Sequence, residues 1–167
     1  MSKLPINFTA VEELVNSNRT LVFNALDYVL NMQKQKHVMS FYSKPGLGLM
    51  FNIQQYAKEH NLFCAAIDLS DNKLSDAIRC DGTTGRFFVA TDAKWVQEIN
   101  EKGGILVFES FDRAELDDRH LVTNMIYNTK FGRETPFTDN VQIIITYRKA
   151  DMVDRATLDR TMQFGMK

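Results

Sequence analysis

Three short, nearly unbroken apolar runs constrain this chain more than anything else in it. They are Leu62–Leu69 (LFCAAIDL), Ile105–Phe108 (ILVF) and Val141–Tyr147 (VQIIITY). Each is far shorter than the roughly 18 apolar residues a membrane span needs. A strand buried on both faces reads as continuous rather than alternating hydrophobicity, and such strands separated by helices make a parallel sheet covered on both sides. His37–Ser43 (HVMSFYS) supplies a further strand, and Phe87–Val89 a short strand or hairpin arm. The expected fold is α/β and three-layered, with a mainly parallel sheet and helices on both faces. A single domain spans 1–167, with N-terminal helices over 1–36 and the core over 37–167.

The helices are read from their ends and their periodicity. Thr9 and Glu12 form a capping-box pattern that opens a short helix, and Leu21, Val22, Ala25, Leu26, Val29 and Leu30 mark the apolar face of a second. Leu49–His60 places Leu49, Ile53, Tyr56 and Ala57 on one face. Asp92 is expected to cap a helix through Trp95, Val96 and Ile99 that stops at Gly103-Gly104, and Leu116–Lys130 is a further helix.

Composition removes several function classes. Of 167 residues, 44% are hydrophobic and 25% charged, the balance of an ordinary soluble domain. Twenty basic and twenty-one acidic side chains leave a net charge of −1, without the basic excess of a dedicated nucleic-acid binder. Cys64 and Cys80 form no C-x-x-C, and His37, His60 and His120 lack ligand spacing, so reduced thiols and no metal are expected. Met1–Asn7 carries no signal-peptide pattern, which points to a cytoplasmic protein outside the membrane.

Between the first strand and its helix the chain reads Ser43-Lys44-Pro45-Gly46-Leu47-Gly48-Leu49-Met50. A strand, a glycine turn and a helix are the setting of a phosphate-binding loop. Gly103–Glu115 reads GGILVFESFDRAE, Thr138-Asp139-Asn140 leads into the last apolar run, and Asp154–Arg160 reads DRATLDR. In order and spacing these segments resemble the core of an AAA+ ATPase of the MoxR-like branch, over roughly Lys36–Phe164. The resemblance implies a P-loop NTPase-like fold. Pro45, Gly46 and Gly48 match the family's G-x-P-G-x-G-K-[ST] loop, and Phe111-Asp112-Arg113-Ala114 matches the segment after its acidic pair. Arg148 falls at the sensor position, where the family carries an asparagine, and Arg160 at the arginine that reaches a neighbouring subunit's nucleotide.

The departures fall on the chemistry. Ser43 replaces the first glycine, Leu49 the phosphate-binding lysine, and Met50 the hydroxyl that holds magnesium. The acidic pair is Glu109-Ser110, so the position that would polarise the attacking water is a serine with no base at neutral pH. With Lys167 as the last residue, no lid subdomain of the kind that covers the nucleotide is expected. Hydrolysis is therefore not expected, no cofactor is required, and ATP or ADP would bind weakly at most, through Lys44, Pro45, Gly46, Gly48, Leu49, Met50, Glu109 and Ser110. Asp112, Glu115, Asp117 and Asp118 read as the acidic start of a helix meeting its dipole.

The expected function is that of an inactive AAA+-like interaction protein that binds a partner protein or a copy of itself. A partner AAA+ ATPase, inhibited by a decoy subunit of phage or mobile-element origin, is the most specific form of that expectation. An ATPase with a rearranged site using Lys44 and Glu109 is the first alternative, and a nucleic-acid-associated accessory protein the second. Of the methionines, most read as core filler. Phe164 and Met166 near the C-terminus are the candidates for an exposed partner surface.

Overall fold

The sheet is assembled from strands that run in one direction, and its order puts the earliest strand near one edge. The computed structural model describes residues 8–32 and 37–166. Five strands, β1 (Met39–Tyr42), β2 (Cys64–Asp68), β5 (Gly104–Glu109), β6 (Val141–Tyr147) and β7 (Met162–Gly165), form a parallel sheet in the order β2-β5-β6-β1-β7. A separate antiparallel pair, β3 (Ile78–Cys80) and β4 (Phe87–Val89), forms a hairpin between β2 and the next helix. The helices are α1 (Phe8–Leu30), α2 (Leu49–Glu59), α3 (Lys94–Lys102), α4 (Leu116–Lys130) and the single-turn α5 (Arg155–Leu158).

Alternation along the strands divides the core in two. Met39 and Phe41 of β1, Ile105 and Val107 of β5 and Ile144 of β6 pack with α1 and α2. Leu106, Phe108, Ile143 and Ile145 pack with α3 and α4 on the other face. These are the three layers expected from continuous apolar strands. On the first face, Tyr56 donates from its hydroxyl to Asp27 at 2.7 Å, which joins α1 to α2. Burial, then that carboxylate, holds the phenol well above its ordinary pKa.

Several sequence expectations are corrected. The two N-terminal helices are one continuous helix, α1, that begins before Thr9, so Thr9 lies in its first turn and not at its cap. Leu62–Leu69 is not buried on both faces: β2 is an edge strand, and Ala66 is exposed. The helix at 94 is capped by Ala93 and not by Asp92, with no side-chain hydrogen bond at its start. Phe164 and Met166 do not form an exposed surface. Phe164 belongs to β7, a strand with no counterpart among the sequence expectations, and Met166 lies just beyond it. The Phe164 ring stacks on Phe41 at 5.2 Å, and Met166 is buried, its amide donating to the Tyr42 carbonyl at 2.9 Å. Met39 and Met125 fill the core as expected, while Met152 is exposed. Among the described residues, no helix is long and apolar enough to cross a membrane.

Candidate functional site

In a parallel sheet, loops that leave the carboxyl ends of neighbouring strands meet at one edge, and a crevice opens where their connections depart to opposite faces. Here the chain leaves β1 into α2 on one face, whereas it leaves β6 toward α5 on the other. A cleft of about 320 Å³ lies at this place. Its walls are the turn from Ser43 to Phe51, Glu109 and Ser110 after β5, and Thr146, Tyr147 and Arg148 at the end of β6.

The turn is built by local chemistry. The Ser43 amide donates to the Tyr147 carbonyl at 3.1 Å and its hydroxyl to the Lys44 carbonyl at 3.0 Å, which ties the start of the loop to β6. Gly46 and Gly48 take φ of 81° and 71°, values a side chain disfavours. Gly48 caps α2 without a side-chain oxygen, and no acidic residue stands in the first helical turn. The positive end of α2 therefore has no charged partner of its own.

Beyond the glycines the helix opens with apolar side chains. Leu49 is 7% exposed and belongs to the core shared by α1, α2 and β1, with Met50 packed against the same cluster. Phe51 is 63% exposed at the cleft. Lys44 and Arg148 are the exposed cations of the cleft.

Across the cleft, Ser110 takes a left-handed conformation at φ 58°, one of two non-glycine residues with positive φ among those described. Its amide donates to the Thr146 hydroxyl at 3.3 Å. Glu109 stands beside Asp68 in the register of β5 and β2. Burial, then the Asp68 charge, raises the Glu109 pKa, and Arg148 partly offsets the rise. Burial also works to raise Asp68. Hydrogen bonds from the Ser70 hydroxyl and amide, the Ser110 hydroxyl, and the Arg113 charge outweigh it, so Asp68 is lowered overall. Burial, then Glu109, pushes the Cys64 thiol up to about 11.

Nine of the ten residues singled out from the sequence line this cleft: Lys44, Pro45, Gly46, Gly48, Leu49, Met50, Glu109, Ser110 and Arg148. Arg160 does not. Its guanidinium lies 5.4 Å from the centre of the Tyr127 ring and donates to the Ala156 carbonyl. Sequence reasoning missed Asp68, Thr146 and Tyr147. The signal was present, because all three lie in the last two residues of apolar runs, and strand ends in a parallel sheet align.

The Phe111–Ala114 segment serves packing. Phe111, Asp112 and Ala114 are buried, and Arg119 donates to the carbonyls of Asp112, Ala114 and Met152 at 2.7, 2.9 and 3.0 Å. One Asp112 oxygen accepts from the Lys149 amide at 3.1 Å, and the other is buried without a partner. The acidic start of α4 is thus more than dipole compensation. Asp118, 1% exposed, accepts from the Leu74 and Ser75 amides at 3.0 and 2.9 Å and so fixes the turn after β2. Among the described residues, no three His, Cys, Asp or Glu side chains group to hold a metal ion. No protein-family model matches this sequence, and a search of characterised proteins returns no match.

Proposed function

We propose that this chain is a P-loop-like binding protein that does not hydrolyse nucleotide and that acts by engaging a protein partner. One observation carries the reading: the cleft between the glycine turn and the ends of β5 and β6 is lined by Leu49, Met50 and Ser110, at the positions where a P-loop site would need a cation, a magnesium ligand and a water-polarising carboxylate for phosphoryl transfer. The glycine turn, Glu109-Ser110 and the end of the strand that follows Thr138-Asp139-Asn140 meet at that cleft, with β6 lying between β1 and β5, which supports a common origin with the AAA+ family, whereas the Asp154–Arg160 segment does not line it. Loss of a single well-placed electrostatic donor typically lowers turnover by about 10²–10³. Loss of three leaves no useful rate, even when their effects do not add.

Lys44 and Arg148 give the cleft some attraction for anions, so ATP or ADP binding without turnover fits the same reading. Calorimetry with ATP and magnesium, alongside ADP and a magnesium-free control, tests this part. Weak heats unaffected by magnesium are expected, because Met50 offers no hard ligand. A magnesium-dependent gain of tenfold or more in affinity overturns it in favour of the rearranged-site ATPase. The partner, by this proposal, is another protein: an AAA+ ATPase or a second copy. Affinity capture from lysate with the intact chain, followed by sedimentation of the pure protein, tests that part. Recovery of no specific protein together with a strictly monomeric chain counts against it.

A further inference from the structure

At the opposite end of the sheet, the carboxyl end of α4 carries a cluster that the cleft does not use. Tyr127 and Phe131 lie with ring centres 4.7 Å apart. Two guanidinium groups face the same tyrosine ring, Arg133 at 5.2 Å and Arg160 at 5.4 Å from its centre, and Arg133 also lies 5.9 Å from Phe131. Phe131 is 55% exposed, and Arg133 and Lys130 are exposed. Lys130 and Arg133 also line a cleft of about 760 Å³ that opens below the start of β6. Among the described residues, neither Arg133, Arg160 nor Lys130 forms an ion pair.

An arginine stacked on an aromatic ring keeps its planar edge of N–H donors free while the ring limits its rotation. Arg133 offers such a fork in the open, and Arg160, half-buried with one guanidinium nitrogen donating to the Ala156 carbonyl, adds its charge beside the same ring; with the exposed Phe131 they make a surface for carboxylates flanked by an apolar side chain. Arg and Tyr are also the residue types that carry most energy at protein interfaces. We infer that this surface binds a short acidic segment of a partner protein, with Arg133 and Arg160 taking its carboxylates and Phe131 an adjacent apolar side chain. Glu134 is the next residue after Arg133. With a chain charge of −1, its carboxylate opposes the dense run of phosphates on a nucleic acid, which demands many uncompensated cations. A few point contacts to carboxylates need only Arg133, Arg160 and Lys130. The surface lies away from the P-loop-like cleft, and its role stands whether or not that cleft takes nucleotide.

Fluorescence anisotropy with the full chain tests this. The probes are a labelled peptide of alternating glutamate and leucine, the same peptide with lysine for glutamate, and an oligothymidylate of equal length. The glutamate peptide binds and the other two do not. Arg133→Gln and Arg160→Gln each weaken binding about tenfold or more, and Arg133→Lys weakens it comparably because an ammonium neither stacks nor forks. Unchanged circular dichroism shows that the substitutions, at exposed Arg133 and half-buried Arg160, leave the fold intact. The inference is overturned if wild type fails to bind the glutamate peptide, if Arg133→Gln binds it as well as wild type, or if the oligothymidylate binds with the same arginine dependence.

Discussion

At the residue scale, individual side chains divide their surface between the core and the cleft. Leu49, which the resemblance sets opposite a phosphate-binding lysine, packs among Val22, Leu26, Phe41 and Ile53. Truncation to alanine removes core contacts and leaves a cavity, at a cost of about 2–5 kcal/mol. Urea unfolding of Leu49→Ala measures this, and a loss below about 0.5 kcal/mol would contradict a core role for the side chain.

Glu109 makes a second prediction, with a definite sign. Its folded pKa is raised, by burial and then by Asp68, so the folded chain holds that proton more tightly than the unfolded one. The stabilisation from Glu109 is therefore fully present below its unfolded value and is lost as pH rises through the folded value. Glu109→Gln cannot ionise and escapes that loss. The variant gains stability relative to wild type as pH rises from the acid range to neutrality. Asp68 has the opposite sign, since its folded pKa is lowered overall: its contribution is present above the unfolded value and is lost as pH falls through the folded one. Unfolding free energies of Glu109→Gln and Asp68→Asn across pH 3–7 check both signs, and parallel curves for the two variants would contradict the electrostatic picture.

At the element scale, tight approaches decide what the sequence tolerates. Gly104 opens β5 at φ 104°, and a Cβ there would fall 2.1 Å from the Phe63 carbonyl oxygen at the start of β2. The two strands could not keep their pairing around it. Gly104→Ala is predicted to lose most of the fold's stability, several kcal/mol, read from a thermal melt, whereas alanine at Gly132, with open space about it but positive φ, costs roughly 1 kcal/mol. Equal melting temperatures for the two variants would refute this reading of the β2–β5 joint.

The legibility of each element comes from the same physics. β5, β6 and α4 are plain in the sequence, because Ile105–Phe108 and Val141–Tyr147 are buried on both faces and the helix between has long apolar spacing. β7 is not. Met162-Gln163-Phe164-Gly165 is short, half-exposed and alternates, so only its pairing with β1 makes it a strand. β3 is hidden for a related reason, since Ile78-Arg79-Cys80 becomes a strand only against Phe87–Val89. The cleft is legible where loop chemistry is local, at Pro45, Gly46 and Gly48. Asp68 escapes notice because its neighbour is Glu109, 41 positions away in sequence and adjacent only through strand register.

At the scale of the whole molecule, the sheet order brings a glycine turn, a strand-end carboxylate and a strand-end arginine to one edge, and places a stacked arginine pair at the other. On the proposal made above, the first edge is a phosphate site without its working groups, the second holds a polypeptide, and the protein's output is binding. The most direct test of the central claim is steady-state phosphate release by the purified chain with saturating ATP and magnesium. The account predicts no release above the rate of a protein-free control, and turnover of about 1 s⁻¹ or faster per chain, within the ordinary range of enzymes, would contradict it.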